Sequence, residues 1–89
     1  MQDAFLSNVN DLTDAAEALA TASCADLTTE TQDNPTEVTQ IHGFASTLQR
    51  AGTDQPMLNS DDVRAALDDL NKAVGQMDTQ LSTCGIKTQ

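Results

Sequence analysis

Val63, Leu67, Leu70, Val74, Met77, Leu81 and Cys84 follow one another at spacings of four, three, four, three, four and three. That rhythm keeps one stripe of an α-helix facing a packed neighbour. Ala66 and Ala73 widen the stripe, while Asp61, Asp62, Asp68 and Asp69 fall elsewhere on the same helix, one heptad apart in pairs. A helix apolar on one side and acidic on another needs partners, and two further stretches supply the same pattern. Phe5, Val9, Leu12, Ala16, Leu19 and Ser23 repeat it near the start, and Val38, Ile41, Ala45 and Leu48 repeat it in the middle, with Phe44 thickening one edge.

The boundary signals give helices over residues 3–24, 35–51 and 59–84. Asn34-Pro35-Thr36-Glu37 reads as a cap, a proline at the first helical position and a glutamate three residues after the cap. Ala51-Gly52 reads as that helix's end, with glycine free to take a left-handed cap. Asn59 is the expected cap of the third helix, with Leu58 and Val63 as a hydrophobic staple and Asp68 placed to pair with Lys72. Gly85 ends it, and a loose tail is expected from Ile86 onward. Between the first two helices, Thr28, Thr29 and Thr31 lie among Asp26, Glu30 and Asp33, with Leu27 the one apolar residue. Threonine crowds a helix backbone and competes for its hydrogen bonds, so 25–34 reads as an acidic, threonine-rich connector.

These elements predict one all-α domain spanning 1–89: a small antiparallel, alanine-rich, up-down-up three-helix bundle. At 1.5 Å per residue the third helix would be roughly 37 Å long and the second roughly 25 Å. Met77, Leu81 and Cys84 would then pack on the far end of the first helix and the Cys24–Leu27 region.

Composition makes that core thin. Alanine supplies 12 of the apolar positions, there are two phenylalanines, and tryptophan and tyrosine are absent. A chain built this way is a candidate for a disulfide or an oligomer as added support, and a homo-oligomer stays open as one partner. The cysteines fit the first. In the expected topology the first and third helices end together, which places Cys24 and Cys84 at one end of the bundle. Cys24 lies off its own stripe, so a bond requires unwinding near Ser23. Two buried thiols in a reducing compartment are the alternative.

Charge narrows the function classes. Fourteen acids, mostly aspartate, face four lysines and arginines, for a net charge of −10. Such a surface repels phosphate backbones and anionic lipid, so neither direct nucleic-acid nor membrane binding is expected, while encounter with a basic protein is accelerated. No run approaches a membrane span, and Met1-Gln2-Asp3-Ala4-Phe5 lacks the basic and apolar regions of a signal peptide. The expected compartment is cytoplasmic if Met1 is the native start, and secreted or periplasmic if Cys24 and Cys84 are bonded.

Candidate chemistry is sparse. His42 is the single histidine, and Ile41-His42-Gly43-Phe44-Ala45-Ser46 resembles a histidine phosphotransfer helix. Such helices place a basic residue shortly after the histidine, whereas the nearest here is Arg50. A histidine flanking the core stripe is the expected reading. No calcium loop, phosphate-cradling glycine loop, G-x-S-x-G or H-E-x-x-H is present, and two cysteines with one histidine do not make a zinc site. The W-x-G class of secreted helical hairpins is excluded by the absent tryptophan. The expectation is therefore a protein that is not an enzyme and needs no cofactor or metal. It would be an acidic interaction module docking on a larger basic partner, of the general kind seen in inhibitors, assembly adaptors and phage-encoded anti-defence proteins, with Asp61, Asp62, Asp68 and Asp69 as the candidate face. The alternative is a secreted, disulfide-stabilised bundle carrying an apolar ligand between its helices.

Overall fold

The seam of the last helix organises the core. The computed structural model describes residues 2–54 and 60–86. It is all-helical there, with four helices: α1 (Gln2–Ala20), α2 (Cys24–Asp33), α3 (Glu37–Asp54) and α4 (Asp61–Thr83). Val63, Ala66, Leu67, Leu70, Ala73, Met77 and Leu81 of α4 are buried, as are Val9, Ala16 and Leu19 of α1 and Val38, Ile41 and Ala45 of α3. They form two clusters along a molecule 41 Å long and 17–18 Å across. One joins Val9, Ala45, Val63, Ala66, Leu67 and Leu70. The other joins Ala16, Leu19, Leu27, Val38, Ile41, Ala73, Met77 and Leu81.

The count of helices corrects the sequence reading. The stretch expected to be an irregular connector is helical, and α1 ends at Ala20 instead of continuing to 24. Ser23, extended at φ −67° and ψ 161°, caps α2 by accepting the Asp26 amide on its hydroxyl. The threonines do not break the helix because each hydroxyl donates to the carbonyl one turn back: Thr28 to Cys24, Thr29 to Ala25 and Thr31 to Leu27. Their competition is turned inward on the same helix. Leu27 supplies the tertiary anchor, fully buried in the second cluster. A ten-residue helix is marginal alone and is held by such packing.

Three boundaries move for related reasons. Asn34 closes α2, its amide bonded to the Glu30 carbonyl and its side chain donating to Glu30 Oε1, so α3 starts only at Glu37 after the turn through Pro35. Gly52 is not a left-handed terminus. It lies within α3, which runs on to Asp54, and a Cβ there would stand 2.5 Å from Leu67 Cδ1. The glycine leaves room for the tip of the Leu67 side chain where α3 approaches α4, and a Cβ there would displace that tip. The cap of α4 is Ser60, whose hydroxyl accepts the Val63 amide; the expected Asn59 cap and Leu58 staple lie outside the described residues.

The end of α4 is the expected glycine stop. Gly85, at φ 71°, donates to Ser82 and Ile86 donates to Leu81, the paired bonds of a Schellman motif. Ile86 packs against the second cluster, so the chain stays anchored one residue past the glycine.

Candidate functional site

The break between α1 and α2 positions the cysteines. Thr21 to Ser23 leave the helix, and the Ala22 carbonyl exposed by that break accepts a hydrogen bond from Gln80 Nε2 at 2.9 Å. Cys24 then begins α2 beside Cys84, the C-cap of α4. Their Cα atoms are 5.3 Å apart and their sulfurs 2.05 Å apart, at disulfide distance. The sequence separation is 60 residues.

Asp61, Asp62, Asp68 and Asp69 are all exposed along the first half of α4. They do not converge on a pocket as a set. Arg64 Nη2 lies 3.8 Å from Asp61, both side chains open to solvent, so their attraction is weak. Asp68 borders a groove of about 420 Å³ with Gln49, Gly52, Thr53, Arg64 and Leu67. The Asp68–Lys72 pair expected from spacing does not form.

His42 Nε2 lies 2.8 Å from Asp78 Oδ1, linking α3 to α4 with both side chains about half exposed. That nitrogen is engaged, and among the described residues no ion pair brings a lysine or arginine to Asp78. No group of three or more histidine, cysteine, aspartate or glutamate residues suited to a metal occurs among the described residues. No described helix is long and apolar enough to cross a membrane.

At the α2–α3 corner, Glu30 and Glu37 approach one another. A hydrogen bond with the Glu30 carboxyl, then desolvation, then repulsion from Glu30 raise Glu37 from about 4.5 to about 7. Two carboxylates can share such a bond only while one keeps its proton. The folded state therefore holds that proton more tightly than the unfolded chain. This contribution to stability is complete below about pH 4.5 and is lost as pH rises through about 7. A melting temperature that falls between pH 5 and 8 is expected, with a shallower fall in Glu37→Gln; equal slopes in the two proteins would count against a shared proton.

Phe44, at the edge of the α3 stripe, also departs from the expected burial. It was expected in the core, yet it is 59 % exposed and is the exposed large apolar side chain among the described residues. Val38, Ile41 and Ala45 set the buried line of α3, and Phe44 stands one residue, about 100°, away from Ala45. Leaving a phenylalanine in water forgoes about 1.5–3 kcal/mol. With Asn8, Asp11, Leu12, Ala15, Thr47 and Leu48 it lines an α1–α3 groove of about 440 Å³. Phe5, Leu12, Leu48 and Val74, also expected to be buried, are half-buried at the core's edge.

No family model, curated protein or solved structure matches this chain.

Proposed function

We propose that the protein is a non-enzymatic, acidic interaction module, an inhibitor or assembly adaptor, that docks on a larger protein with a basic surface. The observation that carries the reading is the exposed set Asp61, Asp62, Asp68 and Asp69, of which, among the described residues, Asp61 alone is paired with a cation, Arg64. With a net charge of −10 behind it, such a face speeds encounter with a cationic partner and rejects anionic ones. A scaffold that presents it fits a bundle reading. The two core clusters support α1, α3 and α4 running up, down and up, with α2 as a short fourth helix tied to one end by Leu27 and Cys24. The cysteine pair supports work in an oxidising compartment, secreted or periplasmic.

The alternative, a secreted carrier of an apolar ligand, draws on the same disulfide and on the α1–α3 groove. Carriers bury most of their ligand's surface. A groove with one wall made by a mostly exposed Phe44 favours a partner's surface over a small molecule.

Affinity capture from native cell material, followed by association kinetics with the captured protein, tests the reading. The on-rate is expected to fall steeply as salt rises from low to physiological levels. The variant carrying Asp61→Asn, Asp62→Asn, Asp68→Asn and Asp69→Asn is expected to associate more slowly with unchanged helix content. Unaltered kinetics in that variant would remove this face from the proposal.

A further inference from the structure

We propose that the α1–α3 groove around Phe44 is where the partner anchors, and that it takes one short basic amphipathic helix. An apolar side chain of that helix would sit against Phe44, Leu12 and Leu48, with lysine or arginine flanking it. The proposal rests on the interaction reading above and moves the anchoring point away from the α4 aspartates.

Shape argues for this occupant. Leu12, Ala15 and Leu48 are half-buried, whereas Asn8, Asp11, Phe44 and Thr47 are exposed. The groove thus has an apolar floor and a rim able to hydrogen-bond. Asn8 to Ala15 spans two turns of α1, about 10 Å. That length accommodates apolar anchors at i and i+3 or i+4 of a docked helix, the helix-in-groove mode of recognition. An added strand would need an open sheet edge, and the described residues are helical with turns. Aromatic anchors beside a polar rim are typical of the residues that dominate binding.

Charge decides among candidate helices. Asp11 is the charged group in the lining, and no cation among the described residues lines the groove. A second copy of this chain would bring a charge of −10 against −10. A basic helix offers the apolar anchor and the complementary charge together.

The test uses synthetic helical peptides of about three turns, with Leu or Phe anchors at i and i+4 and Lys at flanking positions. Control peptides carry Ser for the anchors or Glu for the lysines. Binding to the oxidised protein is followed by fluorescence anisotropy, with amide chemical shifts locating the contact. The anchored basic peptides are expected to bind, with shifts confined to Asn8–Ala15 and Phe44–Leu48. Phe44→Ala is expected to weaken binding at least tenfold without lowering the melting temperature, and both control peptides to bind at least tenfold more weakly. Binding that survives Phe44→Ala but is lost in the four-Asn variant would overturn the groove and leave the interaction reading standing at α4. Self-association that depends on Phe44, with no peptide binding, would make a second copy the occupant and overturn the proposal. Failure of every basic peptide to bind, in a protein that stays monomeric, would overturn the groove proposal, and the captured partner would then decide the interaction reading separately.

Discussion

Reducing the Cys24–Cys84 pair is expected to lower the melting temperature by roughly 15 °C or more. A bridge across 60 residues closes most of the chain into a loop. The entropy that it removes from the unfolded state is worth about 4 kcal/mol on the chain-entropy model. For a domain of this size each kcal/mol moves the midpoint by about 4–8 °C. The core has little to offset the loss, because alanine fills many of its positions. Loss of the bridge also acts locally. α2 is held by its Ser23 cap, by Leu27 and by its covalent tie to α4, and without the tie its ten residues approach the marginal regime of isolated helices.

Cys84→Ser in air-oxidised protein should therefore match wild type in reductant, in melting temperature and in a modest loss of far-ultraviolet helical signal. The double variant Cys24→Ser with Cys84→Ser should behave like the single one, which separates loss of the bond from any effect of a stray thiol. A midpoint unchanged within about 2 °C would mean that the unfolded chain is not appreciably restricted by the bridge.

The cysteine pair was legible because two independent sequence patterns pointed to one end of the molecule. The α4 stripe carries Cys84 as its last member, and the α1 stripe runs out just before Cys24, where the chain does leave the helix at Thr21–Ser23. α2 was not legible from composition, since threonine and aspartate disfavour helix interiors in general. The physical signal was present in Ser23-Cys24-Ala25-Asp26, a cap followed by an acid at the spacing of a capping box, with Leu27 one residue later. Phe44 was out of reach for a different reason. Ile41, Phe44, Ala45 and Leu48 are all compatible with one apolar stripe, and only the rotation of α3 on its neighbours decides which edge faces water. Gly52 shows the same limit: a glycine near a helix end fits a terminus or a close crossing, and the Leu67 side chain beside it selects the crossing.

The acidic candidate residues were legible as exposed positions, because heptad spacing places them away from the seam. That they do not form a convergent site follows from their arrangement. Asp61 and Asp62, like Asp68 and Asp69, are consecutive residues and so point about 100° apart. The groove at Phe44 draws on two helices whose mutual rotation no single-helix pattern contains.

Leu70→Ala is expected to cost about 2–5 kcal/mol, toward the upper end of that range. Leu70 is fully buried in the cluster with Val9, Ala45, Val63, Ala66 and Leu67. Two of those neighbours are alanines, whose methyl groups are fixed by the backbone and cannot swing in to fill the space. The deleted volume therefore remains as a cavity, which is the part of the cost that varies most between sites. A small domain has about 5–15 kcal/mol in total, so this loss combined with reduction of the bridge should remove a large part of the protein's stability at 25 °C. In oxidised protein, urea unfolding should show a lower midpoint with an unchanged slope, the signature of lost stability without a changed unfolded state. Leu70→Met keeps the volume and should cost less than about 1.5 kcal/mol. If Leu70→Ala and Leu70→Met shifted the midpoint equally, packing around Leu70 would not be what holds α4 to the first cluster.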